Sequence, residues 1–226
     1  EFKARWQALT YHKSAAELSP DMPLVDRQVL RLDGTSQKWK VPKNVTGGKG
    51  KAQDLLLRAA KFKAKAIVPD LLQSLKAGRK VQVMTRHREP WQVAKQAITE
   101  AVRKDRTLKD MCRVYAVTGE TPGDVRKAYA DAAKEHHGPI VFLSTIGAIA
   151  GGLSLGGINE VWTLEIHPRP DVFIQAEGRA RELGCGNLVS VLVVVAGSYD
   201  ERALDLALPR YKLIQEIEGS PDAADL

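Results

Sequence analysis

The chain has 226 residues, 44% of them hydrophobic, 27% charged and 6% aromatic, which suits one large or two small folded domains with a real apolar core and excludes disorder as the dominant state. Its net charge of +7 is unevenly placed: residues 37–110 hold 19 Lys/Arg against 6 Asp/Glu, a local +13, whereas the remainder holds 15 against 21, or −6. A block this basic is the expected footprint of a polyanion, nucleic acid ahead of membrane because no amphipathic anchor stands out, with a solvated lysine-bearing helix face as the alternative.

Residues 1–50 read as irregular. Residues 6–11 allow a helical turn, Ser19-Pro20-Asp21-Met22-Pro23 is a breaker cluster, 27–32 alternates with strand period, and Thr46-Gly47-Gly48-Lys49-Gly50-Lys51 reads as a flexible hinge. Regular patterning then begins. A helix is predicted over 53–75 with a pause near Pro69, a strand over 80–85, a helix over 90–103 opened by Pro90, and a strand over 113–117. A helix over 122–134, a buried strand over 140–145, a glycine-rich apolar loop over 147–157 and a strand over 160–165 follow. The pattern closes with a helix over 171–183, a strand over 188–195, a helix over 200–217 and a frayed acidic tail at 219–226. Such alternation predicts an α/β, doubly wound, mostly parallel sheet flanked by helices, and puts the loops after Met84, Val117, Leu143 and Leu164 on the ligand-binding edge.

No apolar run approaches the roughly 18 residues of a membrane span, and the first six residues lack the apolar region of a secretion signal. Cys112 and Cys185 show no disulfide-framework or zinc-site spacing, so a reducing, intracellular compartment is expected. No GxxxxGK[ST] is present. The Gly47–Lys51 run follows no good strand and lacks the terminal Ser/Thr of a phosphate cradle. Asp200-Glu201 stands apart from the preceding apolar strand, so helix capping by Ser198 or Asp200 is expected there rather than metal binding. His136-His137 reads as a complement to a helix C-terminus, and Trp91 and Trp162 as packing residues.

More specific are three segments in order: Leu143-Ser144-Thr145, then Ala150-Gly151-Gly152-Leu153-Ser154-Leu155, then Gln175-Ala176-Glu177-Gly178-Arg179-Ala180-Arg181. Together they resemble motifs V and VI of the second RecA-like lobe of superfamily 2 helicases, most of all the Swi/Snf-type DNA translocases. Supporting matches are 80–85 for the motif IV strand, Val117-Thr118-Gly119-Glu120-Thr121 with Arg126 for the loop and helix before motif V, and 199–204 for the closing helix. Residues 17–23 resemble the connector leaving the first lobe, and the whole resemblance spans roughly 13–218.

The resemblance implies residues 1–50 as interlobe connector and first strand, and 51–218 as the lobe itself. It also implies an arginine finger, because ATP hydrolysis builds negative charge on the transferring phosphoryl group and a facing arginine stabilises it. Arg179 and Arg181 are the candidates, Arg179 favoured. The family places its second arginine three residues after the first, where this chain has Glu182, while Arg181 comes two after, about 100° around a helix from the family's position. By the same resemblance Gln175 couples the two sites, and Gly178 and Gly152 adjoin the nucleotide. Thr85, Arg86, Thr118, Gly119, Ser144, Thr145 and Gly151 line a sequence-independent phosphate track; for Thr85, Thr118 and Thr145, strand-end capping is the alternative. ATP and Mg²⁺ are expected mainly on an upstream RecA-like lobe outside these residues, so this lobe alone is not expected to hydrolyse ATP. Duplex DNA and that upstream lobe are the expected partners of a monomeric, DNA-associated, intracellular chain without membrane attachment. The alternatives are the lobe of a strand-separating RNA or single-strand DNA helicase, and a non-enzymatic nucleic-acid-binding α/β module.

Overall fold

A computed structural model describes residues 23–34, 49–150, 152–167, 169–182 and 185–218. In chain order these form β1 (Val25–Leu32), α1 (Lys49–Ala66), α2 (Val68–Lys76), β2 (Lys80–Thr85), α3 (Arg88–Lys104), α4 (Leu108–Met111) and β3 (Arg113–Val117). Then come α5 (Gly123–Glu135), β4 (Ile140–Thr145), α6 (Ile146–Ala150), β5 (Glu160–Thr163), α7 (Pro170–Gly178), β6 (Leu188–Val195) and α8 (Tyr199–Glu218). The reading of 6–11, most of the connector-like 17–23, Thr46–Gly48, Gly151 and the 219–226 tail lie outside the described residues.

The six strands make one sheet in the order β1-β6-β5-β2-β4-β3, and every neighbouring pair is parallel. Burial on both faces explains why β4 and β6 read as near-continuous apolar runs. At the edge, β1 begins by alternating buried and exposed residues. Helices α1–α4 cover one face through Ala64, Leu71, Trp91, Ile98 and Leu108 against Val81, Val83, Val141 and Leu143. Helices α5–α8 cover the other through Ala130, Ile149, Phe173 and Tyr211 against Met84, Ile140, Phe142 and Val161. This is the predicted doubly wound architecture.

Several boundaries differ from the sequence expectation. The long 53–75 helix is two, divided at Ile67, with Pro69 in the first turn of α2 where its missing N–H costs nothing. Lys49, Gly50 and Lys51 belong to the first turn of α1 rather than to a hinge. Helices α4 and α6, of four and five residues, were too short for periodicity to register. Strand β5 ends at Thr163. Most consequential for function, the 171–183 helix stops at Gly178, because Arg179 turns its carbonyl to Leu155 N–H at 2.8 Å.

Candidate nucleotide and nucleic-acid site

The parallel register gathers the predicted track at one edge. Thr85 stands opposite Thr145 and Met84 opposite Ser144, while Val117, immediately before Thr118, also pairs with Ser144. Their hydroxyls differ in availability. Thr85 is fully buried and its Oγ1 donates to the His87 carbonyl at 3.2 Å. Ser144 is equally buried and its Oγ lies 3.4 Å from the donating Gln82 Nε2. Thr118 Oγ1 accepts from Glu120 N–H at 3.3 Å and its own N–H donates to Thr121 Oγ1 at 3.0 Å. Thr85, Ser144 and Thr118 therefore brace the strand ends, whereas Arg86 and Gly119 face solvent and Thr145 is 9% exposed.

Glu165, just past β5, organises the loop after β2. Its carboxylate accepts from Arg86 N–H at 2.7 Å and His87 N–H at 2.9 Å, and meets His87 Nδ1 at 2.6 Å. A buried acid thus holds the N-terminus of α3, where a carboxylate suits the helix dipole. Nearby His167 Nδ1 lies 3.0 Å from the Arg169 carbonyl, which can accept its proton, and 3.1 Å from the Arg169 N–H. Burial lowers its pKa from the ordinary value, and the guanidiniums of Arg86 and Arg169 lower it further, against the backbone hydrogen bond and Asp171.

The predicted nucleotide-facing residues cluster at the end of α7. Gln175, Gly178 and Arg179 are exposed, and the Leu155–Arg179 backbone bond sets this turn beside the 152–155 loop. Gly152 is exposed at φ 97°, a left-handed conformation that favours glycine, and its N–H donates to Ile149 O at 3.2 Å. Because the helix has ended, helical azimuth does not govern Arg181, which sits half-buried in the turn. Glu182 covers Gly156 and Gly157, where a Cβ on Gly156 would fall 2.5 Å from its carboxylate, and it faces Lys134 at 3.7 Å. Beside this turn a groove of about 350 Å³ runs between α5 and residues 152–154, lined by Arg126, Lys127, Asp131 and Lys134.

Two buried ion pairs escaped sequence reading. Arg27 Nε and Nη2 reach the Glu177 carboxylate at 3.1 and 2.7 Å, binding β1 to the residue two before Arg179. Burial beside Glu177 pushes the Tyr211 hydroxyl well above its ordinary pKa. Lys63 Nζ reaches Asp200 at 2.7 Å and Val193 O at 3.0 Å. One signal for the latter existed: Lys63 follows buried Ala59 and Ala60 by four and three residues on the buried stripe of α1 and precedes buried Ile67, just past its end, by four. Ser198 caps α8, accepting from Asp200 N–H at 3.1 Å, while Asp200 turns inward to Lys63 and Val195 N–H.

Trp91 and Trp162 pack in the core. His136 is the C-terminal cap of α5, its Nε2 2.9 Å from Met111 O. Both cysteines are free, and burial pushes the Cys112 thiol up to about 11. Among the described residues no three His, Cys, Asp or Glu cluster as a metal-ligand set, and no helix is long and apolar enough to cross a membrane.

Comparison with known proteins agrees with this geometry. The chain is similar in structure to the C-terminal part of the Fun30 ATPase domain, at 18% identity and a TM-score of 0.55, over 64% of this chain and 45% of that one. It is similar also to T4 UvsW, at 16% identity and a TM-score of 0.55, over 83% of this chain and 39% of that one. The chain therefore spans less than half the length of these two structures. A family model, the helicase conserved C-terminal domain, matches residues 63–184, from the buried lysine of α1 past the arginine turn, and the chain belongs to that family.

Proposed function

We propose that this chain is the second motor lobe of an ATP-dependent DNA translocase or helicase, acting on duplex DNA inside the cell as a monomer with an upstream RecA-like lobe. The observation that carries the reading is the Leu155–Arg179 bond, which sets an exposed arginine beside the 152–155 loop. Arg179 is the finger: a guanidinium at a domain surface stabilises phosphoryl charge only when the lobes close. Gln175, one turn earlier and exposed, is the coupling residue, and Gly152 and Gly178 let backbone approach the nucleotide. Arg181, half-buried, supports the turn, and Glu182 supplies no cation where the family has its second arginine.

ATP supplies the anhydride bond whose cleavage drives motion. The residues present fit its terminal phosphate through one guanidinium, while Mg²⁺ falls to the upstream lobe, which leaves this lobe without ATPase activity of its own. On the track, Arg86 and the Gly119 backbone meet phosphates directly, with Thr145 beside them, while buried Thr85 and Ser144 and the hydrogen-bonded Thr118 hold the strand ends in register. Contacts of this type read no sequence.

Fluorescence anisotropy of labelled duplex DNA, single-stranded DNA and RNA, each titrated over salt, tests the reading. The expected result is duplex binding that ignores sequence and weakens steeply with salt. Tighter binding of RNA or single strands supports the strand-separating alternative, and no binding at low salt removes the nucleic-acid half.

A further inference from the structure

Part of the basic block is paired with carboxylates among the described residues. Five of its six acids, Asp54, Glu89, Glu100, Asp105 and Asp110, pair with Arg58, Lys61, Lys104, Lys76 and Lys109. Beyond the block, Arg79 pairs with Glu160, Arg88 with Glu120 and Lys63 with Asp200. Lys80 donates to the last carbonyls of α5 at 3.0 and 2.9 Å. Three further cations of the block, Lys65, Lys95 and Arg103, share one surface. Lys95 and Arg103, with no ion pair among the described residues, line a shallow groove on the outer face of α3 with Gln92, Gln96 and Thr99. Lys65 lines the adjoining groove between α3 and the α1–α2 junction, and both grooves share Gln96 and Glu100.

We infer that this face of α3 is a second nucleic-acid surface, away from the strand-end track, that grips the phosphate backbone of flanking duplex. The inference rests on the motor reading and extends it. Gln92, Lys95, Gln96, Thr99 and Arg103 recur at helical spacing and can all donate hydrogen bonds, the residue types that contact phosphate. Glu100, the acid within the surface, is hydrogen-bonded to Lys104, which holds its carboxyl below the ordinary value and cancels its charge toward an incoming phosphate. Lys95 Nζ sits 5.2 Å from the Trp91 ring centroid, which restricts the ammonium before any ligand arrives. Lys95 and Arg103 are eight residues apart, about 12 Å along the helix, the axial length of three to four base pairs at about 3.4 Å each. With Trp91 only 8% exposed, the face offers no ring for base stacking, which favours duplex over single strands.

The test is the Lys95→Gln/Arg103→Gln double variant of this chain, compared with Arg86→Gln and wild type in duplex anisotropy over salt. Both side chains are exposed, so the circular dichroism spectrum and unfolding midpoint should not move. The expected result is a log–log salt slope shallower by about 2, with weaker duplex binding, since each neutralised phosphate contributes about 0.9. Wild-type binding with an unchanged slope in the double variant overturns the α3 surface and leaves the motor reading standing. Absence of duplex binding by wild type overturns the α3 surface together with the nucleic-acid half of the motor reading. An equal loss toward single strands, without duplex preference, overturns the duplex assignment.

Discussion

Lys63 Nζ lies 2.7 Å from the Asp200 carboxylate, with the two side chains 0% and 2% exposed, so a fully buried ion pair joins α1 to the start of α8 across the end of β6. Such a pair contributes through what its loss leaves behind. Lys63→Met strands a buried carboxylate and should cost about 3–5 kcal/mol, read from urea unfolding. Adding Asp200→Asn, which keeps an acceptor for Val195 N–H, should recover part of that loss. Equal stability of wild type and Lys63→Met would mean that the pair is open to water in solution.

Glu165 is the anchor of the loop that carries Arg86. Glu165→Ala leaves the Arg86 and His87 N–H groups without their acceptor, at a cost of about 1–3 kcal/mol. Amide exchange at those two positions should quicken, and duplex affinity should fall with it. Unchanged exchange there contradicts the anchoring role.

The pH dependence of stability carries a sign set by His167. Its folded pKa lies below the ordinary 6.5, by burial first and the neighbouring guanidiniums second. Below about pH 6.5 the unfolded chain takes up a proton that the folded chain resists, so the His167 contribution is lost as pH falls toward the folded value. Urea midpoints at pH 7.5 and 5.5 should drop less in His167→Gln than in wild type. An identical drop in both removes His167 as a cause.

Four strands were legible, 80–85, 113–117, 140–145 and 188–195 coinciding with β2, β3, β4 and β6; in β4 and β6, buried on both faces, burial imposes apolar runs that sequence displays directly. The end of α7 was not legible. Buried Ala176 and Ala180 continue a helical period, and the helix is stopped by a carbonyl turned to Leu155, 24 residues earlier in sequence. For the candidate site, the residue types and their gathering at one edge were legible, their exposure less so. Thr85 and Ser144 look like phosphate ligands in sequence, yet parallel pairing buries both. Arg27–Glu177 and Lys63–Asp200, 150 and 137 residues apart, exist only once the sheet has formed.

Arg179 carries the central claim. In the polypeptide that joins this lobe to a nucleotide-binding lobe, duplex-stimulated ATP turnover should be measured for wild type and Arg179→Ala alongside duplex affinity. The expected result is a loss of about 10³-fold in turnover with affinity unchanged, the effect of removing a finger that acts only on the transition state. Turnover within twofold of wild type would contradict the assignment of Arg179 and with it the motor reading of this turn.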